Sequence, residues 1–400
     1  MRVMVIADFA VATGGAQRVA VESARALAEA GAQVTFIHAV AGTDLALDHP
    51  SIDKVCLDLP DIWSRGALSA AVNGVWNREA AKRMAAALAP YAGVRDTVAH
   101  LHQWTRAFSP SILAPLRASG LPLAVTAHDY FLACPNGVLY RFDKSEPCAL
   151  KPMGAACLVA NCDTRSYPHK LVRVARQYAA MSQRRGGRVD VIHIADGARD
   201  RLAPMLPAAW RHHRVDNPIA VARGPAAVIA NDSVFAMVGR LTDDKGALVA
   251  ADAAARAGAK MLFIGEGPAR EEILRLHPSA EITGWVAPGE VETLLRTRVR
   301  AVLAPSLWPE TGPLTVLEAA AMGIPAIASS RCGASEHLGA GSGRVVNPDP
   351  ASFALAMRDL SDNETARTMG KAAYERFWAK PRDPAAHAAG LLDVYRGMLS

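Results

Sequence analysis

The 400-residue sequence contains no charge-free apolar run of the ~18 residues that a membrane-spanning helix requires. Its opening run, Met1 to Ala7, ends at Asp8, too short for a signal-peptide core, and no small-residue cleavage pattern follows. The first glycine pair, Gly14-Gly15, lacks the Gly-x-Gly-x-x-Gly spacing of a dinucleotide site. None of the cysteine spacings is the Cys-x2-Cys of common zinc sites. Together these absences argue against a helical membrane protein, a secreted disulfide scaffold and a simple nicotinamide enzyme. The expected location is the cytoplasm.

What is present fits a soluble globular chain: 51% of the residues are apolar and 20% charged. The length suggests two or three domains of about 100–200 residues. The net charge of +6 is concentrated, because Asp163 to Arg214 holds ten Arg and one Lys against four Asp, a local excess of +7. Such a segment could face anionic lipid headgroups at the inner membrane surface or an acidic glycan; a solvated Arg-rich helix face is the plainer reading. Nucleic acid is not expected as a partner, since the segment has neither interleaved aromatics nor a recognisable binding motif.

In chain order, Val3–Ala7 reads as a strand, followed by Thr13-Gly14-Gly15, a helical run ending near Gly31, and a strand at Val34–His38, a βαβ start. Trp63 and Trp76 lie near a basic helical stretch with Arg78, Lys82 and Arg83. This could lie on a membrane surface, but inward-packed tryptophans are the expected arrangement. Leu121–Thr126 reads as a strand leading to His128. Then Cys134, Cys148, Cys157 and Cys162 place four of the six cysteines within 29 residues. In a reducing compartment clustered thiols lean toward metal. Two readings stay open: a structural zinc fixing a loop, or free or redox-active thiols.

A turn-rich linker follows Asn217-Pro218, and a second βαβ series starts at Val234–Val238. Its strand runs into Gly239-Arg240 and on to Lys245-Gly246, where two cations could neutralise a diphosphate. Asp243 and Asp244 read as helix-capping carboxylates. Met261–Ile264 ends in Gly265-Glu266-Gly267-Pro268. The apolar Val299–Leu303 then precedes a loop with Glu310 and a helical run with Glu318, so both carboxylates can face one ligand. Carboxylates accept hydrogen bonds from sugar hydroxyls while helix N-terminal amides take an anion, so the pattern suits a polyhydroxylated, phosphorylated ligand.

Glu310 and Glu318, with seven residues between them and set between a Pro-Ser and a Gly-Ile-Pro, resemble the Glu-x7-Glu signature of the retaining, GT-B-fold glycosyltransferases of family 4. Gly239-Arg240 with Lys245-Gly246, Gly265-x-Gly-Pro268, Thr283-Gly-Trp285 and the strand-end His128-Asp129 are similar to that family's further motifs. The resemblance covers almost the whole chain, most strongly residues 234–330. It implies an α/β GT-B fold: two Rossmann-like domains facing across a cleft, residues 1–217 (acceptor side, with a Cys-rich insertion at 134–162) and 230–375 (donor side), with residues 376–400 a helix returning to the first domain.

It also implies retaining transfer of a hexose-type sugar from a UDP- or GDP-sugar to a hydroxyl of a glycan or lipid-linked acceptor, as in surface polysaccharide or lipopolysaccharide synthesis. Glu318 would hold the ribose and Glu310 a donor-sugar hydroxyl. Arg240 and Lys245 would stabilise the diphosphate in place of a metal, and no cofactor is required for catalysis. His128 would lie near the donor sugar. Gly15, Gly239, Glu266, Trp285, Gly312, Pro313 and Leu314 would line the donor, although Pro313 has no N–H to give. The absence of an Asp-x-Asp metal motif agrees with this. Alternatives are a nucleotide-sugar epimerase or hydrolase on the same scaffold, or a non-catalytic nucleotide-sugar-binding subunit.

Overall fold

A computed structural model describes residues 1–12, 14–183, 187–339 and 341–400. Thr13, beside the first glycine pair, and Arg184 and Arg185 of the basic segment lie outside the described residues. The chain divides into two units: Met1–Lys144, Cys148–Pro218 and Arg382–Ser400 form one, Ser145–Pro147 and Ile219–Pro381 the other.

The first unit is built on β1 (Arg2–Ala7), β2 (Gln33–His38), β3 (Ile52–Cys56), β4 (Thr97–Gln103), β5 (Leu123–Ala127), β6 (Val189–His193) and β7 (Arg211–Arg214). They pair in parallel in the order β3-β2-β1-β4-β5-β6-β7. Val3 through Ala7 are fully buried, the continuous apolar run of a strand covered on both faces. The crossover helix α1 (Gly15–Glu29) ends where Gly31 takes φ +90°, and the Gly31 and Ala32 N–H groups satisfy the Ala28 and Leu27 carbonyls, 3.0 Å each.

The C-terminal helix, Pro384–Leu399, packs through Ala388, Leu391, Tyr395 and Met398 into the same core as α1. Phe377 and Trp378 belong instead to the preceding helix, Asn363–Ala379. The break follows from the sequence: Pro381 interrupts the ladder, and Asp383 restarts it by accepting the Ala386 N–H at 2.8 Å ahead of Pro384. Full burial of Tyr395 contributes about 2–3 kcal/mol, and its hydroxyl meets His100 Nδ1 at 2.6 Å. His387 bridges the Asp216 carbonyl (2.6 Å) and Ser23 Oγ (2.8 Å).

The tryptophan expectation fails at Trp63, which is 64% exposed on a short turn, Ile62–Ser64. Asp61 pairs with Arg106 and holds its guanidinium 4.2 Å above the indole, with Arg165 at 5.1 Å, so the ring is stacked by cations rather than packed inward.

The second unit carries β8 (Val234–Val238), β9 (Met261–Ile264), β10 (Glu281–Ile282), β11 (Val299–Ala304), β12 (Ala326–Ser329) and β13 (Gly343–Val346). All are parallel, in the order β10-β9-β8-β11-β12-β13. In both sheets the order reverses once, between β1 and β4 and between β8 and β11. The crevice outside the carboxyl ends at such a reversal is where open α/β sheets bind ligands.

Candidate active site

In the second unit the loops at this reversal are locked by glycine. Gly239 (φ +131°) donates to the Ile264 carbonyl at 2.9 Å, and Leu241 to the Glu266 carbonyl at 2.9 Å. A Cβ on Gly265 would stand 2.0 Å from the Gly239 oxygen, and one on Gly267 2.3 Å from that of Leu241. The loops after β8 and β9 therefore lie backbone against backbone, with Arg240 and Glu266 exposed on them. Gly246 (φ +76°) presses on the loop after β11, where a Cβ would be 2.1 Å from the Pro305 oxygen, and the Leu307 N–H donates to the Asp244 carbonyl at 2.9 Å.

The capping role expected of Asp243 and Asp244 is not what the structure has. Helix α2 (Ala247–Ala257) starts behind Gly246 with no side-chain cap, because the left-handed turn at Gly246 leads into it. The two aspartates serve through their backbone carbonyls, Asp243 accepting from Gly246 at 2.8 Å.

These constraints bring Lys245 onto Glu310. The ammonium pairs with one carboxylate oxygen and Ser306 Oγ donates to the other. Lys245 Nζ also stands 5.3 Å from the Trp308 ring centre. Glu310 is only 8% exposed, and its carbonyl accepts the Gly333 N–H at 2.7 Å. Burial, then the Glu310 carboxylate, push the nearby Cys332 thiol upward. Glu318, 7% exposed, sits one turn into helix α3 (Leu314–Ala321). Gly312 and Pro313 lead into that helix, whose first N–H groups form its positive end. Trp285 is 69% exposed beyond β10, past Gly284, which bridges to Gly265. The loops after β8 to β11 thus carry nearly every donor residue named from sequence, and Lys245 and Glu310 are in direct contact.

In the first unit Gly15 opens α1, and a side chain there would meet nothing within 4 Å. Asp8, fully buried at the end of β1, accepts the N–H groups of Arg106 (2.8 Å), Ala107 (2.9 Å) and Phe108 (3.0 Å). Burial raises its pKa and these bonds oppose the rise. His128, just past β5, meets His102 at 3.1 Å and stacks on it, with ring centres 5.3 Å apart. His100 lies 4.1 Å from His102, ring centre to ring centre, and binds Thr126 Oγ1 at 2.7 Å. Burial drives His128 down to about 3, so its imidazole is neutral at physiological pH. Burial lifts Asp129 to about 6. Sequence reading gave no role to Asp8, His102 or Ser306 and took Asp129 only as part of the His-Asp motif; the spacing of His100 and His102, two apart on β4, was the available signal for the histidine stack.

Cys134, Cys148, Cys157 and Cys162 are free thiols, and the Lys170 ammonium donates to Cys162 Sγ at 2.9 Å and Cys157 Sγ at 3.8 Å. Among the described residues, no three of their sulfurs lie within 4.8 Å of one another.

Two Rossmann-like units with a cation, two buried carboxylates and a helix N-terminus at one strand-order reversal define a GT-B glycosyltransferase fold. Solved structures agree. Sucrose-phosphate synthase from Thermosynechococcus elongatus is 16% identical, with TM-score 0.73 over 99% of this chain and 98% of that one. An Anabaena protein, HepE, solved with UDP and glucose, is 15% identical, with TM-score 0.67 over 99% and 100%. The lipopolysaccharide outer core galactosyltransferase WaaB is 15% identical, with TM-score 0.61 over 99% of each chain. No curated protein matches significantly in sequence. Residues 223–376 match the glycosyl transferases group 1 family and residues 13–164 match glycosyltransferase family 4. The chain belongs to the group 1, family 4 glycosyltransferases.

Proposed function

We propose that this protein transfers a hexose-type sugar from a UDP- or GDP-sugar to a hydroxyl of a glycan or lipid-linked acceptor, with retention of anomeric configuration and without a catalytic metal, in surface polysaccharide or lipopolysaccharide synthesis. The observation that carries this reading is the Lys245–Glu310 pair at the β8/β11 reversal, beside the N-terminus of α3. A diphosphate arriving there takes Lys245 and Arg240 as its counter-cations, and Glu310, still held by Ser306, accepts from a donor-sugar hydroxyl. Glu318 takes the ribose hydroxyls. Amides at Gly312 and Leu314 serve phosphate or sugar, while the loops of Gly239, Glu266 and Trp285 serve the nucleotide. In the first unit, Gly15 opens α1 and the neutral imidazole of His128 can give a hydrogen bond but no charge.

The UDP and glucose held by HepE and the lipopolysaccharide galactosyltransferase among the similar structures support the donor and acceptor classes. A cytoplasmic protein touching the anionic inner membrane face fits the exposed Trp63, Leu68 and Val72 near basic residues. No helix among the described residues is long and apolar enough to cross a membrane.

The test is NMR of the product formed from labelled UDP- and GDP-hexoses in the presence of excess chelator. Transfer to an added acceptor, with the anomeric configuration of the donor, is the expected result. Donor turnover without acceptor would indicate an epimerase or hydrolase, and donor binding without any turnover a non-catalytic subunit. Complete loss in chelator that magnesium or manganese restores would overturn the metal-free mechanism.

A further inference from the structure

A cavity of about 680 Å³ opens in the first unit. Its walls come from β4, β5, the start of β6, the short helix Leu113–Ala118 and the end of the helix Tyr167–Ser182. Leu101, Leu116, Leu123, Val125, Ala180 and Trp210 form its depth, and each is at most 9% exposed. Close-packed interiors hold few voids larger than a water molecule. An apolar cavity stays dry and takes apolar ligands, because water there has no polar partners. This one falls in the roughly 300–1,000 Å³ range of small-molecule sites.

The rim has a different character. Arg117, Ala118, Gly120, Gly187 and Arg188 are the exposed residues of the lining. They precede β5 and β6, so the mouth lies at the amino ends of these parallel strands, and His128 at the other end. The charged groups of the lining are Arg117, Arg188 and Asp190. Asp190 is already taken: it meets Arg211 Nε and His213 Nε2 at 2.7 Å each, and Arg188 Nε more distantly at 3.6 Å. Arg117 gives one N–H to the Gln183 carbonyl at 2.9 Å. A guanidinium carries five N–H donors in a planar fork that matches a carboxylate, so both arginines keep donors for an anion at the mouth.

We propose that this cavity binds a long-chain fatty acid, with its hydrocarbon chain in the apolar depth and its carboxylate on Arg117 and Arg188. The lining runs from Gly120 and Leu123, at the amino end of β5, to Trp104 and Leu132, just past the carboxyl ends of β4 and β5. It is thus a slot as long as a strand, which suits an unbranched chain. Each methylene buried there adds to affinity, so longer chains bind more tightly until the slot is full. Two cations at the rim, with the neighbouring carboxylate already paired, select an anionic head over a neutral one. The site uses none of the residues assigned to sugar transfer, and the inference does not depend on that reaction.

The experiment is titration of the full chain with cis-parinarate, a polyene fatty acid whose emission rises in an apolar site. A saturable rise at about one equivalent per chain is expected. A saturated fatty acid should displace the probe at least about tenfold better than the alcohol of the same length, the difference a charge-assisted hydrogen bond makes. Ala114→Trp, at a half-buried wall position, fills the slot and should weaken binding at least about tenfold. Ala180→Leu, in the depth, serves the same end if a melt shows that the first variant does not fold. Arg117→Glu with Arg188→Glu should weaken the acid at least about tenfold and leave the alcohol unchanged. No saturable rise, equal displacement by acid and alcohol, or an affinity that the folded variants leave unchanged would overturn the proposal.

Discussion

Acidification should selectively loosen the first unit, and its histidines give the size of the effect. His128 and His387 are buried, with burial lowering them from 6.5 to about 3 and about 4. A histidine whose folded pKa is depressed stabilises the fold above its unfolded pKa, and that stability is lost as the pH falls below about 6.5. Between pH 7 and 5 each of the two therefore costs about 2 kcal/mol. Asp129 works in the opposite sense: raised from 3.8 to about 6, it takes up a proton in the folded state first and returns about 1.4 kcal/mol over the same interval. His100 and His102, lowered by burial, add to the loss. The histidines win: His128, His387 and Asp129 alone make a loss of about 2–3 kcal/mol by pH 5, and His100 and His102 deepen it. Hydrogen exchange of β4 and β5, corrected for intrinsic rates, reads this directly. Protection that is unchanged or higher at pH 5 would refute the reasoning, because it would mean these imidazoles are not held neutral by burial.

Three further outcomes are expected. Glu310→Ala and Lys245→Ala should each lower the transfer rate at least about tenfold, the loss of a transition-state contact of ~1.4 kcal/mol; near wild-type rates for both would mean they are misassigned. Gly246→Ala should destabilise the second unit by more than about 2 kcal/mol, since its Cβ would meet the Pro305 oxygen at 2.1 Å. Gly258→Ala, equally left-handed but in open space, should cost only about 1–2 kcal/mol; equal losses by denaturant melt would show that the loop contact is not rigid.

Much of this was legible in sequence because periodicity and punctuation report local structure. Val234–Val238 and Met261–Ile264 are strands with the expected ends, since buried parallel strands read as unbroken apolar runs stopped by glycine. Glu310 and Glu318 fall on a loop and a helix as expected. What escaped depends on partners distant in the chain. Ser306 orients Glu310 only because Gly246 and Asp244 pin its loop. The His100–His102–His128 stack joins two strands and, through Tyr395, the C-terminal helix. Asp243 and Asp244 misled because a capping residue was inferred from type alone, whereas a left-handed glycine had already set the helix start. Trp63 misled because two arginines, one more than a hundred residues away, stack on its ring and leave it at the surface.

The central claim, a nucleotide-sugar donor site built on Lys245, Glu310 and Glu318, is tested most directly by thermal shift of the purified protein with UDP, GDP, ADP and their sugar conjugates, with and without chelator. A ligand at 100 times its Kd should add about 2.7 kcal/mol of stability, several degrees in Tm. The account predicts a shift with the UDP or GDP series that persists in chelator and disappears in Glu318→Gln. No shift with any nucleotide, or one that Glu318→Gln leaves unchanged, would contradict it.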